Sequence, residues 1–288
     1  MIRRFASPAD FKRSLEERLR SVAEAQQRDL NSVRLNLVLE RFLARLFAEP
    51  HPFWLLKGGF ALELRFRPHA RTTKDIDLGM NEMTAVSAAA ATTLHEQLKR
   101  AAERDLGDFL TFTVAAPRSL RGVARATTRF PCQATLAAKL YSRFHVDVGL
   151  GDPLTEPPEQ LVGAPWLDFA GVPPAIVLAV PVAQQFAEKI HAYTLPRSDR
   201  PNTRMKDLVD LVRLIESPWL EVKRVRLALH ATFDNRNSHP LPAELPPPPP
   251  AWAPEYGALA AQANLKATTL ERGFDRLRTL WLDQALGV

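Results

Sequence analysis

Residues 71–80, RTTKDIDLGM, decide the fold. Asp75 and Asp77 stand one residue apart inside a run that otherwise predicts a strand. Strand side chains alternate, so both carboxylates fall on one face, while Ile76 and Leu78 point to the other, into a core. Two like charges on one face are costly to bury unpaired. A divalent cation removes that conflict, because Mg²⁺ prefers oxygen ligands and commonly takes one or two carboxylates together with substrate phosphates. The competing reading of D-x-D alone is a polar strand end rising into solvent.

Two further segments bear on the choice. Upstream, LLKGGFAL at 55–62 places a Gly pair directly after an apolar strand and before a helix. Gly58 and Gly59 let backbone N–H groups come close to an anion, and Lys57 adds a positive charge. Downstream, FHVDVGLGD at 144–152 sets Asp147 in an alternating strand between Val146 and Val148. A third acid on a neighbouring strand is what a two-metal site would need, its ions about 3.5–4 Å apart and serving the attacking and leaving oxygens; alone, Asp147 reads equally as a strand-end acid.

The remaining periodicities place these segments in an α+β core. Residues 8–30 predict an amphipathic helix with Phe11, Leu15, Leu19, Val22 and Gln26 on one face, and Ser7 and Pro8 suit its N-cap and first turn. A second helix follows Asn31, with Val38, Phe42 and Leu46 inward. FWLL predicts a short buried strand, ALELRF a short helix, and residues 83–106 a long Ala-rich helix. FLTFTVA, CQATLAAKLY, FHVDVGLG and AIVLAV predict strands. The chain then turns helical, through VAQQFAEKIHAYT, RMKDLVDLVRLIE and LEVKRVRLALHATF, with the polar loop LPRSDRPNT between the first two. PLPAELPPPPPAW predicts an exposed, semi-rigid linker. The expected organisation is a core over 1–180, with two N-terminal helices, and a helical domain over 181–288, with the proline-rich linker near 240–254.

Composition narrows the setting. The 288 residues carry a formal charge of +6, which suits a polyanionic partner. A single cysteine, Cys132, excludes an internal disulfide and a thiolate metal cluster, and makes a reduced, cytoplasmic setting the expectation. No apolar run reaches the roughly 18–20 residues that cross a bilayer, so no membrane is expected as a partner. The first twenty residues are too charged for a signal peptide. Residues 118–129, RSLRGVARATTR, hold four arginines and no acids, and read as a basic loop for RNA backbone or as a solvated loop. The basic run LPRSDRPNTRMK has the same two readings.

In their order, the Gly turn, D-x-D and later strand Asp resemble the nucleotidyltransferase fold of the polymerase-beta type, a mixed sheet with flanking helices. The fifteen residues between Gly59 and Asp75 make that spacing slightly long. A narrower resemblance covers residues 35–215. RFLARLFAEPHPFWLLKGGFALELRF followed by RTTKDIDL, then HVDVGLGD, QQFAEKIHAY and RMKDLVDL, are similar to the AbiEii/AbiGii toxin family, which includes the MenT-type toxins. That resemblance implies a metal-dependent enzyme using Mg²⁺ or Mn²⁺ to move a nucleotide from an NTP to an acceptor. In several members the acceptor is a tRNA 3′ end and the outcome is growth arrest. It also implies a cognate antitoxin with a winged-helix domain.

The resemblance and the chemistry together give candidate roles. Asp75 and Asp77 hold the metal against the triphosphate, and Asp147 binds a second metal and orients or deprotonates the attacking hydroxyl. Gly58 and Gly59 approach the phosphates, and Lys57 is a phosphate contact or an acid's partner. Lys189 shares a helix face with Gln185 at i, i+4, and is a triphosphate contact or a lysine paired with an acid. Asp207 and Asp210 share a face at i, i+3, where they accept from Lys189, hold base or ribose, or answer the helix dipole. Arg71 contacts phosphate or caps the strand entry. His145 falls on the same face as Asp147, and is set aside as structural, as is His191. Two other functions share these features: a nucleotidyltransferase acting on a small molecule or protein side chain, and a catalytically silent nucleic-acid or antitoxin-binding module.

Overall fold

The computed structural model describes residues 5–49, 52–80, 88–119, 127–149, 152–197 and 201–287. The chain divides into two compact units. The first comprises Met1–Phe60, Thr73–Gly151 and Gln160–Ala179; the second comprises Ala61–Thr72, Asp152–Glu159 and Val180–Val288. The helical unit therefore takes in two segments that the sequence placed in the core.

The first unit opens with α1 (Pro8–Ala25), whose N-cap Ser7 accepts from Asp10 N–H at 3.2 Å. Phe11, Leu15, Leu19 and Ala23 bury its apolar stripe. The helix predicted to run to residue 30 ends earlier, and Gln26 is exposed. The reason is local: Gln27 turns left-handed at φ 51, and the Asp29 carboxylate caps a new helix by accepting from Ser32 N–H at 2.8 Å. That helix, α2 (Leu30–Leu46), is buried along most of its length. Its Arg41 and Arg45 converge on Asp108, where all three side chains are almost fully buried. Burial pushes the Asp108 carboxyl up, but the two arginines outweigh it and hold it below its ordinary value.

Among the described residues, eight strands form one mixed sheet: β1 (Trp54–Lys57), β2 (Asp75–Met80), β3 (Leu110–Val114), β4 (Arg118–Ser119), β5 (Thr127–Leu136), β6 (Lys139–Gly149), β7 (Glu159–Val162) and β8 (Ile176–Ala179). Their order is β3-β5-β6-β2-β1-β8-β7, with β4 on β5. β2 runs parallel to β6 and antiparallel to β1, so both D-x-D and the third acid lie on central, adjacent strands. The helix α3 (Gly58–Phe66) leaves β1 directly. The Ala-rich helix is described as α4 (Ala88–Ala102); the expected residues 83–87 lie outside the described residues.

One strand expectation is corrected. CQATLAAKLY is not a single strand but a hairpin, in which β5 ends at Leu136 and β6 begins at Lys139. Ala137 and Ala138 make the turn at φ 51 and 58. Two successive positive φ values match the right-handed twist of the strands, a task usually marked by Asn-Gly. Two alanines give no such mark. The strand expected at 144–151 is, over 144–149, the far half of β6; 150 and 151 lie outside the described residues.

In the second unit, α5 (Val182–Thr194), α6 (Met205–Ile215), α7 (Val222–Arg236), α8 (Ala253–Gln262) and α9 (Leu270–Asp283) close over Phe186, Ile190, Leu208, Leu229, Tyr256 and Trp281. PLPAELPPPPPAW, expected as an exposed linker, is laid on this unit. Leu245 is buried, Ala243 C=O accepts from Trp281 Nε1 at 3.1 Å, and Pro246 C=O accepts from the Tyr193 hydroxyl at 2.8 Å. Prolines remove N–H donors but leave carbonyls, and here buried aromatic donors use them.

Candidate active site

Strand register builds the site. Lys57 of β1 is the partner of Asp77 of β2, Asp77 of Asp147 of β6, and Asp147 of Arg129 of β5. Cross-strand partners share a face, so these four side chains form one row across four strands, with cations outside and carboxylates inside. Asp75 extends the face by one step and pairs in register with His145. Ile76, Leu78, Val146, Val148 and Phe130 fill the opposite face and are fully or almost fully buried. Their burial fixes the direction of the acids, because a one-residue slip would exchange the faces.

The Gly turn closes on this row. Gly58 has φ 66, and a Cβ there would fall 2.0 Å from Asp77 Oδ2. Only glycine allows that approach. Gly59 is the next residue in the first turn of α3, so the positive end of that helix stands beside the Asp77 carboxylate. Lys57 Nζ lies 3.9 Å from the point a Cβ on Gly149 would occupy.

Arg129 engages Asp147 with two prongs, Nε to Oδ1 at 2.7 Å and Nη2 to Oδ2 at 2.6 Å, and its Nη2 stands 3.6 Å from Asp75 Oδ2. The bond to Asp147, with Asp75 and Asp77 nearby, holds this guanidinium charged more firmly than an ordinary arginine. His145 Nδ1 is 3.2 Å from Asp75 Oδ1. Among the described residues, no three of His, Cys, Asp and Glu converge as a set able to hold a metal ion. Asp147 is turned to Arg129.

A second group lies in the helical unit. Lys189 of α5 donates to Asp207 Oδ1 at 3.0 Å and to Asp210 Oδ2 at 2.7 Å, both on α6. Arg71 donates from Nε and Nη2 to the two oxygens of Asp210 at 2.8 and 2.7 Å. Burial pulls the Lys189 ammonium toward neutrality, but Asp210 and Asp207 outweigh it and raise its affinity for the proton. Burial likewise pushes the Asp210 carboxyl up, and Lys189 with Arg71 bring it below its ordinary value. The two buried carboxylates are answered by Lys189 and Arg71, with the half-exposed Arg204 also 3.7 Å from Asp207, so the buried charge is paired and hydrogen-bonded.

Asp75, Asp77, Asp147, Lys57, Gly58 and Gly59 therefore gather in the first unit, and Lys189, Asp207 and Arg71 gather in the second around Asp210. Two neighbours of the acids escaped the sequence reading. Arg129 had been read as the end of a basic loop over 118–129; it sits in β5, while 120–126 lie outside the described residues. Counting back from the Ala137–Ala138 turn pairs it with Asp147, but only once that turn is known. His145, which the sequence sets aside as structural, stands beside Asp75 through the parallel register of β2 and β6. In the run LPRSDRPNTRMK, 198–200 lie outside the described residues, and Arg197 and Asn202 bond back to the carbonyls of Ala192 and Tyr193.

Comparison with known proteins bears on the same residues. The model of a family described as "Nucleotidyl transferase AbiEii toxin, Type IV TA system" matches residues 41–280. No curated protein matches the sequence. Among solved structures, MenT4, a nucleotidyltransferase toxin from Mycobacterium tuberculosis H37Rv, aligns over 98% of this chain and 93% of its own with a TM-score of 0.54 at 18% identity. That likeness is one of fold.

Proposed function

Since the chain belongs to the AbiEii family, the nucleotidyltransferase toxins of type IV toxin–antitoxin systems, we propose that it transfers NMP from an NTP to an RNA acceptor, with a tRNA 3′ end as the acceptor. The observation that carries this reading is the transverse row Lys57–Asp77–Asp147–Arg129, closed at one end by the Gly58 turn. Nucleotidyl transfer asks the protein mainly for position and charge neutralisation. The row offers carboxylates for a cation, a helix N-terminus and a lysine for phosphate, and a third acid for the attacking hydroxyl.

Mg²⁺ or Mn²⁺ suits this donor set, because Asp75, Asp77 and Asp147 present only hard oxygens. When bound, the cation neutralises charge on the triphosphate and polarises the transferred phosphoryl group. Asp75 and Asp77 would hold it from one strand. Asp147 would bind a second ion and orient or deprotonate the acceptor hydroxyl. Gly58 and Gly59 bring backbone N–H groups toward phosphate, and Lys57 supplies positive charge at that end of the row. For Lys189 we assign a triphosphate contact, with Asp207 as the carboxylate that holds its ammonium. Arg71, whose Nε and Nη2 are given to Asp210, acts by fixing that carboxylate beside Lys189. The net charge of +6 suits a polyanionic acceptor.

The family implies an antitoxin partner; we assign it a winged-helix domain. No helix among the described residues is long and apolar enough to cross a membrane, and we place the reaction in the cytoplasm. The test is incubation of the protein with total tRNA, Mg²⁺ and each labelled NTP in turn. Label should enter tRNA from a preferred NTP, and Asp77→Ala should reduce incorporation by at least about a hundredfold, the scale of removing a charge-stabilising group at a reacting centre. Label on a small molecule or a protein instead, with none in any RNA, would move the assignment to that acceptor. Toxicity that survives Asp77→Ala unchanged, with no NTP turnover in either form, would leave a binding module.

A further inference from the structure

Arg129 is placed where it conflicts with the cation. Its two donors occupy both oxygens of Asp147 at 2.7 and 2.6 Å. Mg²⁺ bonds oxygen at about 2.0–2.1 Å. A dication and a guanidinium held together on one carboxylate repel each other strongly, in a place that is only partly open to water. Lys57 stands differently, at the far end of the row, in register with Asp77 rather than Asp147. Arg129 is also able to leave. Its side chain is 29% exposed, against 11% for Asp147, so the arginine and not the acid has solvent to move into. Its Nη2 already stands 3.6 Å from Asp75, on the same face.

We propose that Arg129 is a positioning residue that keeps the Asp147 carboxylate turned to itself, and that its hold and the Asp147–cation bond exclude each other. Arg129 then sets the affinity of the resting site for the divalent ion. Loading the ion costs the release of that hold, so the resting protein takes its cation weakly. This rests on the assignment of Asp75, Asp77 and Asp147 to a cation under the proposed function, but not on which nucleotide or acceptor is used.

The experiment is Mn²⁺ binding to the full-length protein without nucleotide, followed by the electron paramagnetic resonance signal of free Mn²⁺. Wild type, Arg129→Gln, Arg129→Lys and Asp77→Asn are compared, each first shown to be folded by its thermal melt. Arg129→Gln should bind Mn²⁺ at least about tenfold more tightly than wild type, the effect of removing a like charge from a ligand's side. Arg129→Lys keeps the charge but loses the fork, and should fall between them; it also serves as the test if the glutamine variant does not fold. Binding should be lost in Asp77→Asn. A residue that merely supports the fold would loosen the site when replaced, so equal or weaker binding in Arg129→Gln overturns the inference while leaving the cation site standing. Absence of Mn²⁺ binding in wild type and both Arg129 variants would instead remove the cation site itself, and this inference with it.

Discussion

Two glycines with the same backbone conformation separate geometry from chemistry at the scale of single residues. Gly58 and Gly107 have φ 66 and 68, so alanine is strained at both. Around Gly107 a Cβ would meet nothing within 4 Å, whereas at Gly58 it would meet Oδ2, Cγ and Cβ of Asp77 at 2.0–2.8 Å. Gly107→Ala should therefore cost about 1–2 kcal/mol in urea unfolding and leave nucleotide transfer within twofold or so of wild type. Gly58→Ala should cost at least as much and, because it must push the Asp77 carboxylate aside, lower transfer by more than about a hundredfold. Equal activities for the two variants would disconnect the Gly58 turn from the reaction. The Gly pair was visible in LLKGGFAL; that it presses against Asp77 was not, because the two are apart in sequence and meet only through the antiparallel pairing of β1 and β2.

The pair α5 and α6 carries its own electrostatic test at the scale of elements. Lys189 is the only cation given to Asp207 at hydrogen-bond distance among the described residues, while Asp210 also has Arg71. Lys189→Met removes the buried cation shared by both carboxylates and leaves Asp210 to Arg71 and Asp207 to the half-exposed Arg204 at 3.7 Å, a loss of about 3–5 kcal/mol. The pH dependence has a defined sign. The Asp210 carboxyl lies below its ordinary 3.8 when folded, so its contribution is present above 3.8 and disappears as acid takes the pH down through the lower folded value. The Lys189 ammonium lies above its ordinary 10.5 when folded, so its contribution is present below 10.5 and disappears as base takes the pH up through the higher folded value. Thermal melts should show this cluster contributing evenly through neutral pH and failing at both extremes. In Lys189→Met the alkaline loss from this group should vanish and the acid loss should begin at higher pH. Unchanged melts in both limbs would mean that the cluster is not closed in solution. The sequence offered Lys189, Asp207 and Asp210 as helix-face spacings; it had no means of bringing Arg71, more than a hundred residues earlier, onto Asp210.

At the scale of the whole molecule, the chain passes between the two units at 60/61, 72/73, 151/152, 159/160 and 179/180. A cut near 180, the boundary the sequence suggested, therefore strips the helical unit of three charged groups. Arg71 pairs with Asp210, Asp152 accepts from Arg236 and Asn235, and Glu159 pairs with Arg65 and accepts from Val182 N–H. Fragment 181–288 keeps Lys189 on Asp210 but loses Arg71 from it, and it takes from Arg236 the fully buried carboxylate of Asp152; removing one partner of a buried pair is strongly destabilising. The isolated fragment should melt without a cooperative transition in circular dichroism, whereas the full chain should show one. A cooperative melt of the fragment, with a baseline like that of the full chain, would show that the upstream segments are dispensable. The same principle explains the proline-rich run. Composition marked it as a linker, but its carbonyls and Leu245 satisfy buried groups of the helices, and composition does not report on a partner's needs.

By itself the sequence determined the face of the three aspartates, through strict strand alternation and a glycine turn before them; the class of chemistry it implied through the resemblance of its ordered motifs to a known family. These are local signals, set by the period of a strand and the steric freedom of glycine. Tertiary structure alone decided what stands beside each acid. Arg129 meets Asp147 through a hairpin turned by two alanines, His145 meets Asp75 through a parallel register, and Arg71 meets Asp210 across the chain. Such neighbours follow from strand order and helix packing, which depend on the burial of the whole apolar set at once and leave no mark at any one position.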